Sequence, residues 1–150
     1  RLRALARRRP LSSRAVAAID VDGERPRLLA APDWHDEARL AELLAAWQRS
    51  ARAGTLVLLA DPRLDGSGEE LETRAVAAAA AAGVDLDQCA DIAIRYEQPQ
   101  PGRDEALLAA CDGYIELHAG LPGLVRCARR LGLPVLAPAD LVAAPLRVAA

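Results

Sequence analysis

The stretch Thr55-Leu-Val-Leu-Leu-Ala60, followed by Asp61-Pro-Arg-Leu-Asp-Gly-Ser-Gly68 and an Ala-rich segment from Glu69 to Ala82, decides the architecture. An apolar run without alternation, bounded by turn residues, reads as a strand covered on both faces. Asp, Pro and Gly supply the loop. The Ala-rich segment is built of strong helix formers, and Gly83 stands where a helix ends most easily. Strand, loop and helix in this order make half of a crossover unit, since parallel strands need a long connection to return the chain.

The same pattern repeats on both sides. Upstream, Leu28 to Ala31 reads as a buried strand and Pro32-Asp33-Trp34-His35 as a loop. The helix expected from Asp36 to Ser50 carries Leu40, Leu43, Leu44 and Trp47 at helical spacing, with Asp36 and Glu37 at its positive end. Downstream, Asp91 to Tyr96 reads as a strand with Ile92, Ile94 and Tyr96 alternating, and Gln98-Pro-Gln-Pro-Gly102 as a loop. A helix from Arg103 to Cys111, a strand from Gly113 to Leu117, a helix from Leu121 to Leu131, a strand from Pro134 to Leu136 and a helical turn from Asp140 to Ala143 follow. Strand and helix alternate about four times, which predicts an α/β fold: a parallel sheet with helices on both faces and right-handed connections. Ligands in such sheets sit outside the carboxyl ends of the strands. Here those ends carry the loops Pro32–His35, Asp61–Gly68, Tyr96–Gly102 and His118–Gly123. Residues 1–17 read as a basic segment or linker, with Arg1 to Arg9 a solvated helix end, and residues 18–150 as the α/β domain.

Composition narrows the function. The 150 residues are 52% hydrophobic and 3% aromatic with a net charge of −2. That excludes wholesale disorder and gives no case for nucleic acid or an anionic membrane as partner; no apolar run is long enough for a transmembrane segment. All 19 basic residues are Arg, so no lysine serves as base, Schiff-base former or phosphate clamp. Cys89, Cys111 and Cys127 are odd in number and widely spaced, which argues against metal ligation and a disulfide framework and for buried thiols in a reducing cytoplasm. Pro10 follows the basic opening in place of an apolar region, so no signal peptide is expected. The missing initiating Met leaves a piece of a longer protein as the expectation.

Single motifs yield little chemistry. Asp20-Val-Asp22-Gly23 resembles the nucleophile loop of haloacid-dehalogenase-like phosphatases, but that chemistry needs a lysine and Glu24 stands where Thr is usual, so a linker turn is the better reading. Asp61 to Gly68 places two glycines before a helix without a phosphate-loop pattern, and Glu69 and Glu70 would repel a phosphate; a capped loop is expected. His35 and His118 fall in carboxyl-end loops with no Ser or Cys nucleophile at recognisable spacing. No catalytic residue, metal site or cofactor is expected. Cys127 shares a helix face with Leu124 and Leu131 and reads as core.

Taken in order, the segments resemble the C-terminal, donor-binding domain of GT-B fold glycosyltransferases of group 1 (family 4), a Rossmann-like domain. Ile19-Asp-Val-Asp-Gly-Glu-Arg-Pro26 is similar to that family's linker before the first strand. Asp33-Trp34-His35 with Leu43-Leu44-Ala45-Ala46-Trp47 is similar to its first loop and helix. Ala110-Cys-Asp112-Gly-Tyr-Ile115 and Gly132-Leu-Pro-Val135 resemble two later signatures, and the similarity spans about residues 18–141. The resemblance implies a nucleotide-sugar donor and a missing N-terminal acceptor domain or partner protein. It also implies a basic pair clamping the pyrophosphate and two glutamates holding sugar and ribose. Those positions fall on Glu37 and Ala38, and on Ala119 and Cys127, so all four side chains are replaced. An anion within about 4 Å of Glu37 would meet roughly 4 kcal/mol of repulsion at an effective dielectric near 20. Arg39 lies one position away.

The expected function is a glycosyltransferase-like donor-side domain with weak nucleotide-sugar binding, inactive alone. Candidate binding residues are His35, Arg39, Asp61, Arg95, His118, Ala119 and Gly120. The alternative is a non-catalytic scaffold or docking domain. Receiver and flavodoxin-like readings fail for want of a lysine and of a Ser/Thr-rich phosphate loop.

Overall fold

A computed structural model describes residues 2–5, 26–50, 53–98, 100, 102–117 and 121–143, with residues 2–5 and 143 as backbone only. Six strands and five helices are found among them: β1 Leu2–Leu5, β2 Arg27–Ala30, α1 Glu37–Arg49, β3 Thr55–Ala60, α2 Gly68–Ala81, β4 Asp91–Tyr96, α3 Arg103–Ala109, β5 Gly113–Ile115, α4 Pro122–Arg130, β6 Val135–Leu136 and α5 Asp140–Ala143. All pairings are parallel, and the strands lie in the order β1-β4-β3-β2-β5-β6. The fold is Rossmann-like, as the alternation predicts.

Burial on both faces explains the unbroken apolar runs. Leu28, Ala30, Leu56, Leu58, Ile92, Ile94 and Ile115 point to one side, where α1, α2 and α5 supply Leu40, Leu44, Leu71, Ala75 and Leu141. Leu29, Val57, Leu59 and Tyr114 point to the other, against Leu107 and Leu108 of α3 and Leu124, Val125 and Ala128 of α4. Gly113 lets β5 close on its neighbours, since a Cβ there would stand 2.9 Å from Leu28 Cδ2.

Local chemistry sets the helix ends. Asp36 caps α1 by accepting the Arg39 N–H at 3.1 Å. Ser67 and Glu70 form a capping box at α2: Glu70 Oε2 accepts the Ser67 N–H at 2.7 Å and Ser67 Oγ accepts the Glu70 N–H at 3.4 Å. Gly83, at φ +67°, turns the chain out of α2 while the Val84 N–H reaches back to the Ala79 carbonyl at 2.8 Å.

β1 departs from the expectation. Leu2–Leu5 runs parallel to β4, with Leu2 opposite Ile92 and Leu5 opposite Arg95, where a solvated helix end was expected. The outer edge of β4 would otherwise leave a row of unpaired N–H and C=O groups, and β1, the sixth strand of the sheet, satisfies them. The linker turn at Asp20–Gly23 and the boundary at 17/18 lie outside the described residues.

Candidate functional site

From the central β2 the chain steps outward through β3 and β4, then returns to place β5 and β6 on the other side. The point of reversal lies between β2 and β5, and the crevice outside their carboxyl ends is where such sheets bind ligands. A cleft of about 690 Å³ opens there. Its walls are Arg39 and Glu42 of α1, Glu116 and Leu117 after β5, Pro122, Val125, Arg126 and Arg129 of α4, and Ala137 to Ala139 after β6.

Helical geometry brings these side chains together. Arg39 and Glu42 are three residues apart and share a face of α1; Arg126 and Arg129 do the same on α4, opposite the buried Leu124 and Ala128. Arg39 pairs with Asp36 at 3.2 Å and Arg129 loosely with Glu116 at 3.8 Å. Both pairs are partly solvated, so little energy ties up either guanidinium. Among the described residues Arg126 makes no ion pair.

Glu37 does not border this cleft. It lies about 200° around α1 from Arg39 and lines a separate pocket of about 200 Å³ with Trp34, His35 and Arg74. The repulsion expected from Glu37 therefore acts outside the cleft, and Arg39 faces in where the sequence placed an acid. Cys127 is buried among the apolar residues of α4 and α3, as its spacing with Leu124 implies. Cys111 is buried and Cys89 half-buried; all three thiols are free.

Among the described candidate residues, only Arg39 reaches the cleft. His35 braces two loops. Arg74 donates through Nη1 to the Trp34 carbonyl at 3.0 Å and to His35 Nδ1 at 2.9 Å. A guanidinium only donates, so Nδ1 accepts, and Nε2 carries the hydrogen given to the Leu64 carbonyl at 3.3 Å. Trp34 Nε1 donates to the Leu59 carbonyl at 2.9 Å and pins the same loop to β3. Asp61 shapes its own turn: its Oδ1 accepts from Arg63 N–H at 2.9 Å and its N–H donates to Asp65 Oδ2 at 2.6 Å. Burial pushes the Asp65 carboxyl above its ordinary value, with the Asp61 N–H opposing. The bonds from Ser67 hold the Glu70 carboxyl below its own. These N–H groups are already engaged, so the loop is a capped turn, as expected. Arg95 is buried beside Glu97, away from the cleft. His118, Ala119 and Gly120 lie outside the described residues.

Sequence reasoning missed Glu42, Glu116, Arg126 and Arg129. The available signal was Arg126 and Arg129 opposite the apolar stripe of α4, which could not be aimed without knowing what stood across from it. Neither a protein-family model, nor a curated protein, nor a solved structure matches this chain. Among the described residues no helix is long and apolar enough to cross a membrane.

Proposed function

We propose that this chain is the donor-side domain of a glycosyltransferase-like protein, holding the phosphates of a nucleotide-sugar weakly in the cleft at the point of sheet reversal. The observation that carries the reading is the convergence of Arg39, Arg126 and Arg129 on that cleft. Guanidinium groups are the usual partners of phosphate oxygens, and the cleft's size is within the range of small-molecule sites. Glu42 and Glu116 offset two of the three cations, so attraction is modest. Transfer itself needs an acceptor-binding half beyond these residues. The free thiols fit a cytoplasmic setting.

Titration with UDP- and GDP-sugars, followed by calorimetry or amide NMR, tests this. Saturable binding with Kd between about 0.1 and 1 mM is expected, weakening as salt rises from about 0.05 to 0.5 M and abolished by Arg126→Glu. The second reading, a non-catalytic docking domain, is favoured by Ala38 in place of a basic residue and by Cys127 packed into the core. Absence of saturable binding by the wild-type chain would select it.

A further inference from the structure

Arg95 is the penultimate residue of β4 and is 2% exposed. Its register partner on β3 is Leu59, so it stands on the sheet face that α3 and α4 cover. Nε donates to Glu97 Oε2 at 2.8 Å, and Glu97 is itself nearly enclosed, with 10% of its side chain exposed. The two Nη groups are also buried, and among the described residues neither has a hydrogen-bond partner. Arg95 lies within electrostatic reach of Cys111, which follows α3.

A structural arginine satisfies its fork; this one leaves four N–H bonds unmade, at the full desolvation cost of those groups. Leucine in the same place would cover the sheet without that cost. The pattern is that of a residue held for a ligand at the expense of stability. We propose that Arg95 is a binding group for the oxyanion of a small ligand, a carboxylate or phosphoryl group taken bidentate by Nη1 and Nη2 at the carboxyl end of β4. The unmet edge has the planar two-donor geometry that such groups match. Glu97 fixes the guanidinium through Nε and leaves that buried edge without a partner among the described residues. The α3 helix that follows β4 starts at Arg103, after Gly102 at φ +86°, with no side-chain cap. Arg95 does not line the cleft of the proposed function, so this inference stands apart from that reading.

Thermal unfolding of the whole chain in about 20 mM phosphate, acetate or chloride at matched ionic strength tests it, because a ligand that binds only the folded state raises Tm. Wild type is expected to gain several degrees in phosphate or acetate over chloride, the larger gain telling phosphoryl from carboxylate. Arg95→Met is expected to lose that gain while melting in chloride no lower than wild type. Glu97→Gln, which removes the competing anion, is expected to reach half of its gain at a several-fold lower anion concentration. Arg126→Glu separates the two sites: a gain that survives it belongs to Arg95. Equal Tm in all three salts for wild type, an undiminished gain in Arg95→Met, or a Glu97→Gln midpoint unchanged from wild type would overturn the proposal.

Discussion

Tyr114 illustrates how a single group shows its cost. Its ring is fully buried on β5, and its hydroxyl has no hydrogen-bond partner among the described residues. The ring contributes apolar contact with Leu29 and its neighbours; the oxygen contributes only desolvation. Tyr114→Phe is therefore expected to stabilise the protein by about 1 kcal/mol, or roughly 3 °C at this chain length, in a two-state thermal melt. A loss of stability would mean that the hydroxyl is satisfied after all. Among the described residues Arg95 is the other buried side chain with orphaned donors, and Glu97 stands beside it as a nearly enclosed acceptor. The two residues differ in legibility. Nothing in Gly113-Tyr-Ile115 marks the hydroxyl as unsatisfied, whereas Arg95 is a candidate from the sequence because it borders the carboxyl-end loop Tyr96–Gly102.

At the scale of elements, the capping box carries the start of α2. Ser67→Ala removes the acceptor for the Glu70 N–H and loosens the return bond from Glu70 to the Ser67 N–H, for an expected loss of about 1 kcal/mol in denaturant unfolding. The effect should shrink as acid protonates Glu70. Its carboxyl is held below the ordinary value by those bonds, so the stability it adds is complete above the unfolded pKa and disappears as pH falls through the folded one. Caps and runs of this kind are why the elements could be read from sequence: Asp36, Ser67, Gly83 and Gly132 act within one turn of themselves, and two-sided burial imposes apolar runs on β2 and β3. β1 escaped because an edge strand of four residues has no such signature, and Leu2–Leu5 is set among arginines. The cleft escaped for a different reason. Arg39, Arg126 and Arg129 gain their meaning from the rotation of α1 and α4 about their own axes across the point of sheet reversal. A shift of two positions in a helix turns a side chain by about 200°, which is enough to exchange Glu37 for Arg39 at the cleft wall.

For the whole molecule, the face of the sheet under α3 and α4 ties global stability to alkaline pH. Burial pushes the Cys111 thiol from 9.0 up to about 12, and the Tyr114 hydroxyl from 10.0 up to about 12. In the unfolded chain both groups regain their ordinary values. Between about pH 9 and 12 the unfolded state therefore sheds protons that the folded state keeps, and stability falls as pH rises. It is complete below pH 9, and by pH 12 the loss approaches about 4 kcal/mol from Cys111 and about 3 kcal/mol from Tyr114. Both groups lie in one apolar cluster, so ionisation of either opens the same layer of α3 and α4 against the sheet. Urea unfolding at intervals across this range should show the loss, and Cys111→Ala combined with Tyr114→Phe should flatten the profile. Thiol labelling gives an independent check of the same layer: Cys89, only half-buried, should react first at pH 8, and Cys111 only as fast as the molecule unfolds. Equal labelling rates for the two would mean that this face opens locally, without global unfolding, and the steep alkaline loss would then be absent.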